Sequence, residues 1–254
     1  MGVEEESANE AANTDKIPNY LSLIAGSTVG ISSACDPSTC GVSYNSIANL
    51  LDAKGLSWKE YEESMPTSCD MSSSGNYVTK HNPFVFFTYV TKNAIYCDSH
   101  VVPLSPNLNE DLSANTLPAY SFITPNACND GDKNCGEGTQ HELNYTDKWL
   151  AGFLPTLINS PEFNSTVIFI TFDQGCTGSG SVCSAGFGSG TYKVSGGQTY
   201  TAVIGPKSLV NDTSSINQKF SHYSTLATIE KIFALGNLNQ NDTLAKNPAN
   251  HLSV

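Results

Sequence analysis

Apolar and polar positions along this chain fall into short blocks whose spacing shifts between helical and extended periods. The densest apolar block, TVIFITFDQG at residues 166–175, runs without alternation and stops at Asp173. A continuous run of that length predicts a central parallel strand covered on both faces. Open α/β sheets bind ligands just outside the carboxyl ends of such strands, so Asp173 stands where a ligand, a metal or a substrate is expected. The alternative is an aspartate that merely caps the next turn.

The blocks on either side extend the pattern. PNYLSLIAG predicts a helix with Pro18 in its first turn, Leu21, Ile24 and Ala25 on one face, and Gly26 as its stop. YNSIANLLDAKG predicts an amphipathic helix ending at Gly55, and SWKEYEES the strand after it. HNPFVFFTYV predicts a second apolar element, helical in character, and LPAYSFITPN a buried strand ending at Pro125. TDKWLAGFLPTLINS predicts a helix with Trp149, Phe153 and Leu157 on its core face and a kink at Pro155. TYTAVIGPK is the next strand, and SHYSTLATIEKIFALG the last clear helix, capped by Ser221. Helix, glycine, strand in succession is the α/β signature. Between Gln174 and Gln198 lies a long Gly- and Ser-rich loop. Residues 1–16 read as an acidic, flexible tail, and residues 17–254 as a single domain.

Composition narrows the chemistry. The net charge is -12, which argues against nucleic acid and anionic membrane surfaces as partners. No run is apolar enough for an integral membrane segment, and nothing at the amino terminus resembles a secretory leader. The twelve basic residues are all lysine, so any anion site must use lysine, histidine, backbone N–H groups or metal in place of an arginine fork. The eight cysteines lack the CxxC spacing of zinc ribbons. They read as disulfides: Cys35 with Cys40, Cys128 with Cys135, Cys176 with Cys183, and by remainder Cys69 with Cys97, although spacing alone cannot fix the connectivity. Disulfides of this density, with sequons at Asn144, Asn164, Asn211 and Asn241, imply an extracellular or cell-surface protein.

In their order along residues 17–236, PNYLSLIAGST, KHNPFVFF, YSFITPNACND, DKWLAGFLPTLINS, IFITFDQG and SHYSTLATIEKIFAL resemble the phosphoesterase family. That family includes acid phosphatases and bacterial phospholipases C, within the alkaline phosphatase-like superfamily. The resemblance implies a three-layer α/β/α sandwich with a mostly parallel central sheet and the active site at the carboxyl ends of its strands. It also implies hydrolysis of a phosphate ester, either a small molecule or a phospholipid head group, through a Ser or Thr nucleophile assisted by divalent metal. Carried over residue by residue, it implies catalytic roles for Asp173, His81 and His222, which are expected to converge on one pocket. By the same resemblance Asp173 and Asp130 are metal ligands, and Asn19, Lys16 and Asn82 bind phosphate.

The sequence also departs from the family. Gln174 follows Asp173 where relatives carry Glu, and no histidine follows Asp130 in its loop. The usual apolar first strand, ending in a Glu-Asn pair, is expected to be missing. Lys16 stands where relatives carry the hydroxyl nucleophile, and Thr14 is the nearest hydroxyl. Two functions follow: a secreted phosphoesterase with an altered site, or a catalytically inactive ligand-binding or cell-surface protein that keeps the fold.

Overall fold

The computed structural model describes residues 2–6, 16–136, 142–174, 198–210 and 215–252. In chain order the elements are β1 (Gly2–Glu6), α1 (Ile17–Ala25), α2 (Pro37–Cys40), α3 (Ile47–Lys54), β2 (Trp58–Glu62), α4 (Thr88–Thr91), α5 (Ala94–His100), β3 (Val101–Pro103), α6 (Leu104–Ala114), β4 (Tyr120–Thr124), α7 (Glu142–Ile158), β5 (Ile168–Thr171), β6 (Gln198–Ile204), β7 (Ser215–Ser221) and α8 (His222–Phe233). The chain divides into two compact units, one of residues 1–35, 44–50 and 165–254, the other of residues 36–43 and 51–164.

The second unit is built on an all-parallel sheet in the order β3-β2-β4. Side chains alternate across central β2, so Trp58, Glu60 and Glu62 share one face and Lys59 and Tyr61 the other. On the first face Trp58 stacks on Phe84 at 4.7 Å between ring centroids. On the other, Lys59 Nζ and Tyr61 Oη each reach Asp111 Oδ2 of α6 at 2.6 Å. Asp52 accepts hydrogen bonds from Trp58 Nε1 at 3.2 Å, Tyr89 Oη at 2.6 Å and Tyr96 Oη at 2.5 Å. HNPFVFFTYV, expected to be largely helical, is instead a 3₁₀ turn at Phe84–Phe86 followed by the single turn of α4. Its three phenylalanines are all fully buried or nearly so, and burying residues on every side suits a turn that plugs the core better than a one-sided helix.

The first unit carries a four-stranded sheet in the order β5-β6-β1-β7. Two expectations are corrected here. Gly2–Glu6, read as part of a flexible tail, is a strand that pairs antiparallel with β6 and parallel with β7. Its three glutamates hide it from hydrophobic patterning, because pairing uses the backbone and this strand is positioned by its neighbours' ladders. The IFIT block, expected to be a central parallel strand, is the edge strand β5, half-buried and paired antiparallel to β6. Behind the sheet Val203, Val210, Phe220 and Leu252 form a core with Val167, Phe169 and Ile232 packed against it.

Helix α1 is buried along nearly its whole length and packs against α8. It ends at Gly26, which adopts φ 67°; a Cβ there would stand 2.6 Å from Asp242 Oδ1. Asp242 holds this corner, accepting from Leu238 N at 2.7 Å and Gln240 N at 2.8 Å, while Asn241 N donates to the Gly26 carbonyl at 3.0 Å. The buried Glu230 of α8 faces the same carboxylate. Its burial, and then the Asp242 charge and hydrogen bond, push its carboxyl up to about 8. Burial beside that carboxylate therefore favours the protonated form of Glu230.

The Cys69–Cys97 and Cys128–Cys135 bridges are present as expected. Cys35 and Cys40 are both disulfide-bonded. Cys176 and Cys183, and most of the loop that carries them, lie outside the described residues. Among the described residues no helix is long and apolar enough to cross a membrane.

Two outcomes are expected. Cys69 and Cys97 are 28 positions apart and Cys128 and Cys135 only 7. In the loop-entropy model the longer closure contributes about 3.6 kcal/mol and the shorter about 2.5 kcal/mol. Urea melts of the two double Cys→Ala variants should rank in that order. For Glu230 the folded pKa lies above the unfolded one, so its contribution is fully present below about pH 4.5 and is lost as pH rises through about 8. Stability should fall across that window by about 1.4 kcal/mol per pH unit for each linked proton. Glu230→Gln should flatten this component of the slope; a slope identical to that of the parent chain would refute the raised Glu230 pKa.

Candidate active site

In the first unit, β5 and β1 both run antiparallel to β6, and β7 runs parallel to β1. The carboxyl ends of β5, β1 and β7 therefore come to one edge of the sheet. Asp173 lies two residues past β5, Glu6 closes β1 in register with Ser221, and His222 opens α8 directly after β7. Ser221 and Ser224 form a reciprocal capping box that fixes this helix start. His222 is fully buried, and its Nε2 lies 2.6 Å from the Asp173 main-chain carbonyl. A carbonyl oxygen only accepts, so Nε2 carries the proton of this hydrogen bond.

The second unit holds the other histidine. His81 ends a 3₁₀ turn at Thr79–His81 and is buried. Its Nδ1 lies 2.7 Å from Asp130 Oδ2, and its Nε2 3.8 Å from Asp132 Oδ2. The Asp130 carboxylate thus sits against the Nδ1 side of the ring as a close ion-pair contact without hydrogen-bond alignment, and Nε2 is turned toward Asp132. Asp130 Oδ1 also accepts the Asp132 N–H at 2.8 Å, which ties the loop to the pair. Beside it Glu60 and Glu62, both buried, form a carboxyl pair on one face of β2. Burial raises both groups well above the ordinary carboxylate range. Glu62 is driven further by the Glu60 charge and, more weakly, by Asp130, while Glu62 and the Phe84 backbone partly offset the rise at Glu60.

The structure thus brings together Asp173 with His222, and His81 with Asp130. Asn82, expected to bind phosphate, donates from Nδ2 to Tyr77 Oη at 3.0 Å, and its Oδ1 accepts from Val85 N at 3.4 Å. Those contacts hold the turn after His81. Asn19 is fully buried at the third position of α1, and neither of its amide atoms has a hydrogen-bond partner among the described residues. Lys16 is the N-cap residue of the same helix, whose start is oriented to attract anions.

The donors do not assemble a metal centre among the described residues: no group of three His, Cys, Asp or Glu side chains stands close enough to hold an ion. Asp130 is engaged by His81, and an amide at Gln174 is a weaker ligand for a hard cation than a carboxylate.

Residues 10–236 match the sequence profile of the phosphoesterase family. The chain belongs to the phosphoesterase family. Among its relatives, the acid phosphatase of Aspergillus fumigatus is 28% identical over 89% of this chain and 47% of its own length. The probable acid phosphatase of Kluyveromyces lactis is 29% identical over 89% of this chain and 50% of its length. The phosphatidylinositol-3-phosphatase of Mycobacterium tuberculosis is 29% identical over 86% of this chain and 62% of its length. The chain thus spans about half the length of the fungal relatives it matches. A protein of the alkaline phosphatase superfamily from Vibrio parahaemolyticus superposes with a TM-score of 0.58 over 95% of this chain and 61% of its own, at 13% identity, which shows the shared α/β fold.

Two features of the fold around these residues give little signal in the sequence. Glu6 reaches the strand edge beside Ser221 only because β1 pairs in the sheet, and a polar strand gives no periodic signal. Glu60 and Glu62 were legible only as an exposed-looking acidic strand, although their alternation in SWKEYEES places them on the same face as Trp58. For this carboxyl pair the folded pKa values are raised, so its contribution to stability is intact below about pH 4.5 and is lost as pH rises above it. Glu60→Gln should therefore narrow the stability difference between pH 5 and pH 8 measured by thermal melting. An unchanged difference would mean that both carboxyls are ionised in the folded chain.

Proposed function

We propose that this chain is a phosphoric ester hydrolase of the acid phosphatase type, acting outside the cell or at its surface. The observation that carries the reading is the buried His81–Asp130 pair, which sets an imidazole 2.7 Å from a carboxylate, a pairing suited to proton transfer or hydrogen bonding at a phosphoryl oxygen. Support comes from the family match across residues 10–236 and from relatives named as acid phosphatases. Disulfides at six described cysteines support the oxidising location. Small phosphate monoesters are the first substrate class. A phospholipid head group is the second, in keeping with the name of the mycobacterial relative.

A second reading, phosphate binding without turnover, is favoured by Lys16 at the start of α1. An ammonium there attracts a phosphate but cannot form the phosphoserine-type intermediate that a hydroxyl would. The two readings separate in one experiment. Hydrolysis of an aryl phosphate is followed from pH 4 to pH 7 with Mg²⁺, Mn²⁺, Zn²⁺ or Ca²⁺ supplied in turn, and binding of inorganic phosphate is measured by calorimetry. Turnover that falls about 100-fold or more in His81→Asn supports the hydrolase. Phosphate binding without turnover, lost in Lys16→Ala, selects the binding protein; neither signal rejects both.

A further inference from the structure

Glu63 follows β2 and belongs to none of the groups described so far, yet its carboxylate is the most heavily engaged of the described polar groups around the His81 loop. Oε2 accepts the Asn126 main-chain N–H at 2.8 Å, and Asn129 Nδ2 lies 3.0 Å from both carboxylate oxygens. Oε1 also accepts from Trp149 Nε1 of α7 at 3.0 Å. Its own main-chain N–H donates to the Thr124 carbonyl at 2.9 Å, which pins it to the end of β4. The two asparagines bracket one tight turn: Asn129 N and Asp130 N both donate to the Asn126 carbonyl, at 2.8 and 3.0 Å. The last residue of that turn is Asp130, whose carboxylate holds His81 Nδ1.

We propose that Glu63 is the positioning residue of the His81–Asp130 pair: by clamping both ends of the 126–130 turn it places the Asp130 carboxylate on the imidazole. The inference rests on the reading that this pair meets the phosphate. Glu63 itself touches neither His81 nor a substrate. A charged acceptor suits the task because hydrogen bonds to an ionised carboxylate are shorter and about twice as strong as neutral ones. Its three donors come from a main chain, an amide and an indole, so no competing cation pulls the carboxylate away from the turn. The placement explains why one strand end carries three carboxyls with different fates. Glu60 and Glu62 point into the core, whereas Glu63, one residue past the strand, turns to the loop.

The test reads the pair directly and does not need turnover. In NMR, the His81 ring signal reports the nearby Asp130 carboxylate, and His81→Asn identifies that signal by its loss. Glu63→Gln keeps the shape but sets an NH₂ against N–H donors, and should shift or broaden that signal. Asn129→Leu, which leaves Glu63 intact and removes one arm of the clamp, should do the same. Trp149→Phe removes only the α7 arm and should leave the signal in place. If the chain turns over aryl phosphate, Glu63→Gln should lower kcat roughly tenfold or more with little change in KM. Absence of turnover in the parent chain would reject the hydrolase reading while the NMR comparison still decides the positioning role. An unchanged signal in Glu63→Gln, or in Asn129→Leu should Glu63→Gln fail to fold, overturns the proposal. Equal loss in Trp149→Phe also overturns it, since that outcome means general loosening of the unit.

Discussion

A carboxylate removed from water must find a cation, a set of N–H or O–H donors, or a proton, because the desolvation cost is several kcal/mol per ion. This chain has 24 acidic residues, 12 lysines and no arginine, so the first remedy is scarce. The structure relies on the other two. Asp52 collects an indole and two phenol groups, Glu63 collects amide, main-chain and indole N–H groups, and Asp111 adds one lysine to a tyrosine hydroxyl. Glu230 beside Asp242, and Glu60 beside Glu62, are instead carboxyls that burial pushes toward the protonated form. One such pair lies in each unit, so both units are most at ease on the acid side of neutrality.

The same constraint shapes the candidate site. Asp130 is the carboxylate that receives an imidazole, and the geometry around it is rigid because its turn is clamped from Glu63 and the loop is closed by Cys128–Cys135. In the first unit the sheet does the positioning. Parallel alignment of β5, β1 and β7 sends three strand ends to one edge, which is where α/β sheets gather ligand-binding groups. His222 and Asp173 meet there through a ring nitrogen and a main-chain carbonyl, so the aspartate's backbone orients the ring.

Membership of the phosphoesterase family establishes descent and fold, and activity still depends on the individual site residues. The relatives named as acid phosphatases are about twice as long as this chain, so their reaction comes to it only as a proposal. At the start of α1 the N-cap residue is Lys16, an ammonium and not a hydroxyl.

The sequence by itself determined the helices with strong caps and stops. α1 ends at Gly26, α3 stops before Gly55, and α8 begins at Ser221, because glycine at positive φ and a serine cap are local chemistry that needs no partner. It also determined the family, since several motifs in one order are more specific than any single one, and two of the disulfides. Tertiary structure decided what depends on pairing and burial. Whether IFIT is a central or an edge strand is set by which strands lie beside it, and whether Gly2–Glu6 is a strand at all is set by the ladders of β6 and β7. Short α5, β3 and α6 carry too little amphipathic pattern to announce themselves. The roles of Glu60, Glu62 and Glu63, three acids within four residues of one segment, were likewise out of reach. Two are buried side by side and pushed above the ordinary carboxylate range while one takes N–H donors, and only the fold determines which side chains leave water and what meets them.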